Sequence, residues 1–257
     1  MRKFAIALST VLALSSCSTV SKHLAVNPSP QAEAAHKNER EGIEDLRQLV
    51  EESELEEAWA YVPRTEEWYD VGLEAKADGD TNSVELDVDK VKSVALHYSS
   101  FHSWHIHTQR DNIRFYQPFL DHLPKGYTRE TLWDFINADA ALPSADDLTF
   151  SIYFSCLFDQ KKNRDDRYLI ASHYGVTEFK PLFSGLAFLC QSTPEDDLPT
   201  QANIFGRLAT HQFNQKMMIR KINYAVKNKT AAQLFENRYM RITFTPYSAL
   251  KWGDSNF

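Results

Sequence analysis

HSWHIHT, residues 102–108, and LPSADDL, residues 142–148, are the two stretches on which the reading of this chain turns. If the first is a β-strand, its period of two sets Ser103, His105 and His107 on one face and Trp104 and Ile106 on the other. Imidazoles two residues apart on a strand can converge on one divalent ion, at about 2.0–2.1 Å for zinc–nitrogen bonds. The second stretch opens with Ser144 and carries Asp147 three residues on, a pattern that starts a helix and offers a carboxylate beside a hydroxyl. The same spacing is that of a capping box, in which both side chains bond backbone donors at the helix start. The two roles are compatible, because a cap fixes the orientation of the side chains that a metal would use.

Outward from these motifs the pattern is mixed. Ile43, Leu46, Leu49 and Val50 share one face of a helix expected over 40–58. In EEWYDVGLEA, residues 66–75, alternation puts Glu67 with Tyr69, Val71 and Leu73, while Glu66 points with Asp70 and Glu74. A second strand is expected from Val84 to Val88, and 94–107 should be extended toward its end. Residues 108–142 read as a helical excursion, followed by a helix from Ser144 and a hairpin over RYLIASHYGVTEFKP. Residues 200–236 read as mainly helical, with Phe205, Leu208, Ala209, Phe213 and Met217 inward, and MRITFTPY forms a final strand. The sum is an α+β fold, a small mixed sheet flanked by helices, with an insertion around 108–142.

The beginning of the chain, MRKFAIALSTVLALSSC, has the parts of an export signal: Arg2 and Lys3, then an apolar run from Phe4 to Leu14. Leu14-Ser15-Ser16-Cys17 resembles the lipobox of bacterial lipoproteins, which implies acylation of Cys17 and removal of residues 1–16. Ser18 after the cysteine implies the outer membrane, with the protein facing the periplasm. Residues 17–38 then read as a lipidated cysteine and flexible tether, and 39–257 as the folded domain. Losing Arg2 and Lys3 with the leader takes the net charge from −7 to −9, which argues against nucleic acid as a partner. Eight glycines in the whole chain argue against a Gly-rich phosphate-binding fold. Cys156 and Cys190 are the two cysteines left, and in an oxidising compartment they predict a disulfide, two separate buried thiols being the alternative.

Three pieces in order resemble the JAMM/MPN family of zinc-dependent peptidases and isopeptidases: an upstream glutamate, paired histidines in HIHT, and PSADDL. The resemblance covers roughly residues 40 to 180. It implies one zinc ion held by His105, His107 and Asp147, with Glu67 as general base and Ser144 as a donor to the oxyanion. An open zinc site of this kind acidifies water toward neutral pH, and a nearby carboxylate takes the proton for the leaving amine. The chain departs from the family at Thr108, which stands where the family has proline, and in the 35 residues 108–142 between the motifs, where the family has a much shorter connection.

The implied activity is hydrolysis of an amide bond in a peptide or protein substrate of the cell envelope. The competing expectation is a catalytically inactive periplasmic lipoprotein that uses the same fold to bind a partner. A third pattern, His105 with His107, His173, His211 and Asp254, resembles the metal-dependent amidohydrolases, but too little chain follows for a barrel of about 250 residues.

Overall fold

The computed structural model describes residues 35–53, 56–72, 86–158 and 164–250. Among them an eight-stranded sheet runs in the order β1-β3-β2-β4-β5-β6-β8-β7. The strands are β1 (Ala35–His36), β2 (Ala58–Val62), β3 (Glu67–Asp70), β4 (His102–Ile106), β5 (Arg167–Ala171), β6 (Gly175–Pro181), β7 (Ala232–Glu236) and β8 (Met240–Pro246). Every neighbouring pair is antiparallel except β4 and β5. The fold is therefore α+β as expected, around a larger sheet than expected.

The parallel pair decides where the chemistry falls. A parallel neighbour cannot be reached by a tight turn, so the chain must leave the end of β4, cross one face and re-enter at the start of β5. The crossing is made by α5 (Ala145–Phe158), which therefore begins beside the end of β4. Before it come α3 (Gln109–Asp121) and α4 (Arg129–Asp139), two helices with a small core of their own built on Leu120, Leu132 and Ile136. The insertion leaves after His107 and returns before Ser144, so it does not separate the motifs that flank it.

Two apolar layers sandwich the sheet. On one side α1 (Glu39–Glu52) lays Ile43, Leu46 and Val50 on Tyr61, Trp68, Trp104 and Ile106. On the other, α2 (Val88–His97), α5, α6 (Phe183–Ser192), α7 (Leu198–His211) and α8 (Gln215–Asn228) contribute to the main core with Ala58, Ala60, Val62, Tyr69 and Phe101. Helices α5 and α7 approach closely at Gly206, where a methyl group would sit 2.4 Å from the Thr149 hydroxyl. A disulfide joins Cys156 on α5 to Cys190 on α6.

Several local expectations change. The first helix ends at Glu52 rather than 58, because Ala58–Val62 goes into the centre of the sheet as β2. Leu86 makes an isolated bridge to Gly72, and Asp87 ends the expected second strand by capping α2, its carboxylate accepting from the N–H groups of Asp89 and Lys90. Leu208 and Met217 face solvent instead of the core, while Ala209 is buried as expected. The tether expected over 17–38 ends earlier than that, because Ala35–His36 pairs with β3 at the edge of the sheet and Asn38 caps α1, whereas the leader, Cys17, residues 18–34 and the turn expected before Leu86 lie outside the described residues.

Candidate metal centre

Strand alternation sorts β4 cleanly. Trp104 and Ile106 pack under α1, and Phe101 packs in the main core on the face that also carries His105. His102 points to the α1 side, where its Nδ1 lies 2.5 Å from a Glu39 carboxylate oxygen. His107 lies one residue past β4, yet its N–H donates to the Ala171 carbonyl at 3.0 Å, so the ladder to β5 continues through it. That bond keeps His107 extended and on the face of His105. The two Nε2 atoms stand 2.9 Å apart.

Asp147 reaches the same point from the first turn of α5. The Ser144 N–H donates to its Oδ2 at 2.6 Å, and its own N–H donates to the Ser144 Oγ at 3.1 Å. This is the reciprocal capping box, and it holds the carboxylate against the imidazoles rather than away from them. Asp147 Oδ1 lies 3.2 Å from His105 Nε2, and Oδ2 lies 3.7 Å from His107 Nε2. Zinc bonds of about 2.0–2.1 Å at tetrahedral angles require donor atoms roughly 3.3 Å apart, and the separation of the imidazole nitrogens and the nearest approach of each to a carboxylate oxygen lie close to that value. Among the described residues His105, His107 and Asp147 are the group able to hold a metal ion, their donor atoms all within 4.8 Å of one another. Two imidazoles and one carboxylate, leaving one position open, fit the donor set of a catalytic zinc site.

The second nitrogen of His107 is also committed. Its Nδ1 lies 2.8 Å from the Ala140 carbonyl just after α4, which makes Nδ1 the protonated nitrogen and turns the Nε2 lone pair toward the cluster. Burial pushes the His105 imidazole down to about 4, with His107 adding to the effect and Asp147 opposing it. For His107 burial also acts downward, but Glu56, Asp147 and the Ala140 carbonyl outweigh it and the net shift is upward. Burial acts to raise Asp147, and the two imidazoles and the Ser144 bonds reverse this, holding it below the ordinary carboxylate value. A neutral His105, a proton-favouring His107 and an ionised Asp147 form the arrangement in which a cation can replace a shared proton.

Glu67 does not join this cluster. In the β2–β3 ladder it pairs with Val62, whereas His105 pairs with Ala58 at the other end of β2. Four residues of strand separate those positions, about 13 Å at roughly 3.3 Å per residue. Alternation put Glu67 on the correct face of the sheet but could not say at which end. Its carboxylate instead accepts from the Tyr69 hydroxyl at 2.6 Å and the Tyr98 hydroxyl at 3.3 Å.

The carboxylate at the correct end is Glu56. Carrying the β2–β4 register two residues beyond Ala58 and His105 sets Glu56 opposite His107, and the Ile106 N–H donates to the Glu57 carbonyl at 3.0 Å along that continuation. Glu56 is half-buried, and among the charges acting on His107 it ranks first. The sequence does not single it out, because the helix pattern expected over 40–58 runs through it. The short apolar run AWAYV after Ser53 was the signal that a strand begins there, with Glu56 just before it.

The other histidines lie elsewhere. His97 ends α2 with its ring against Tyr98, and His173 turns between β5 and β6 with Nδ1 3.7 Å from Glu51. His211 ends α7, so neither it nor His173 contributes to the group, and Asp254 lies outside the described residues. Thr108 is fully buried directly after the pair. Comparison of the chain with family models, curated proteins and solved structures gave no match.

Proposed function

We propose that this protein is a zinc-dependent hydrolase of amide bonds, JAMM-like in its site, anchored by a lipid on Cys17 to the bacterial envelope and acting there on a peptide or protein. The observation that carries the reading is the meeting of His105, His107 and Asp147, from two chain segments 35 residues apart, at metal-ligand spacing beside Glu56. Zinc held there supplies Lewis acidity and brings the ionisation of water close to neutral pH.

The chain's own groups do the rest. The Ala140 carbonyl fixes the tautomer of His107, and the Ser144 N–H, donating to Oδ2, fixes the rotamer of Asp147. Glu56 takes the role of general base and passes the proton to the departing amine, a role in which a carboxylate must stand near the ion without being consumed as a ligand. The Ser144 Oγ accepts from Asp147, so its own hydroxyl proton is not used by that bond and serves as a donor to the developing oxyanion. A net charge of −9 after leader removal disfavours acidic substrates and suits neutral or basic peptides.

The test is hydrolysis of a mixed pool of envelope peptides and isopeptide-linked peptides by the zinc-loaded protein, followed by mass spectrometry. Glu56→Gln should keep the metal and lose at least about a hundredfold in rate, in line with the loss of a general base. Glu67→Gln should keep both metal and rate. Equal losses in the two variants would contradict the assignment of Glu56, and a zinc-loaded protein that cleaves nothing would leave a binding lipoprotein as the better account.

A further inference from the structure

We propose that Tyr116, Asp139, Gln215 and Thr177 form a clamp that positions the Ala140 carbonyl on His107 and thereby sets the metal affinity of the site; the inference rests on the metal reading above. These residues come from α3, α4, the start of α8 and β6, and none of them is a ligand. The α3–α4 insertion, which looks in the sequence like an interruption of the motif, thus supplies the outer support of one ligand.

The geometry grips the chain on both sides of Ala140. On one side the Asp139 carboxylate accepts from the Tyr116 hydroxyl and from the Gln215 amide at 2.6 Å. On the other the fully buried Thr177 hydroxyl donates to the Ala141 carbonyl at 2.6 Å. Between these two fixed points the Ala140 carbonyl accepts from His107 Nδ1 at 2.8 Å. Tyr116 is itself held, its ring edge-on to Phe135 with centroids 5.8 Å apart. Burial and the adjacent Asp139 carboxylate push its phenol well above the ordinary value of 10, so it stays a donor.

The arrangement has a physical purpose. Ala140 stands at the C-terminal end of α4, where backbone carbonyls lack partners within the helix and the helix dipole is negative. A carbonyl there favours positive charge on the imidazole it accepts from, whether that charge comes from a proton or from a metal on the other nitrogen. Outer partners of this kind orient a ligating histidine and raise its basicity, and their loss typically costs about 10–100-fold in metal affinity.

The experiment measures the zinc dissociation constant of the purified protein by competition with a chromophoric chelator, together with the melting temperature of the metal-free form. Tyr116→Phe and Thr177→Val should each weaken zinc binding by about tenfold. Gln215→Ala, at an exposed position that folding tolerates, should weaken it by a smaller but measurable factor. In the zinc-loaded variants the proton on His107 Nδ1 should lose its hydrogen-bonded chemical shift and exchange faster with water than in the unaltered protein. Lowered melting with unchanged zinc affinity and an unchanged His107 spectrum would show mere structural support and overturn the clamp alone. An unaltered protein that fails to take up zinc would overturn the metal reading and the clamp with it.

Discussion

Glu56 stands opposite His107 at the open end of the β2–β4 ladder, and its charge is the first among those that offset the burial of that imidazole. The relationship joins a segment before the first central strand to one just past β4, and it makes the end of the sheet, rather than a face of it, the place where charge gathers. Asp147 arrives at the same end because α5 is the return arm of a parallel crossover. The position of the cluster therefore follows from topology, and its internal distances follow from the Ser144 cap and the Ala140 carbonyl.

The disulfide between Cys156 and Cys190 should contribute strongly to stability. It closes a span of 34 residues, for which loss of unfolded-state entropy predicts about 3–4 kcal/mol. Replacing both cysteines with alanine should lower the urea midpoint by a corresponding amount without changing zinc content. An unchanged midpoint would show that α5 and α6 are held by packing alone.

Helix α1 should not tolerate a side chain at residue 42. A methyl group on Gly42 would lie 2.1 Å from the Trp68 ring, which is pinned by its indole N–H donating to the Lys37 carbonyl at 3.1 Å. Alanine gains about 1 kcal/mol in helix propensity. Overpacking of this severity costs typically 1–3 kcal/mol and more where the neighbour is fixed. Gly42→Ala should therefore be net destabilising in thermal denaturation, and a stabilised variant would mean that α1 sits farther from the sheet.

Acid should weaken the pairing of Glu178 with Arg167. The guanidinium donates to Glu178 at 3.0 and 2.8 Å and outweighs burial, holding the carboxyl below its ordinary value of 4.5. A carboxyl lowered in the folded state contributes stability that is complete above its unfolded value and is lost as pH falls through the folded one. The stability gap between the unaltered protein and Glu178→Gln should be widest near neutral pH and should narrow below 4.5. A gap that stays constant from pH 7 to about 3 would contradict this linkage.

What the sequence made legible was local. Alternation in HSWHIHT sorted His105 and His107 from Trp104 and Ile106, and the Ser144-to-Asp147 spacing announced both a cap and a carboxylate at a helix start. The apolar hairpin RYLIASHYGVTEFKP and the closing strand were equally plain. What it hid was register. Period two assigns a face but says nothing about which end of a neighbouring strand a residue meets, so Glu67 shares the face of His105 yet lies at the other end of β2. Glu56 was hidden by a helix pattern that ran on to its own strand without a proline or glycine to mark the change. That the motifs meet across the insertion was hidden, because a segment that closes on itself looks the same in sequence as one that drives its flanks apart.

Elemental analysis of the purified, zinc-loaded protein after exhaustive dialysis should give about one zinc per chain, the stoichiometry of a three-ligand site with one open position. His105→Ala, His107→Ala and Asp147→Ala should each remove it, while Glu56→Gln and Glu67→Gln should retain it. A protein that is metal-free after loading, or that keeps its zinc when His107 is replaced, would contradict the account.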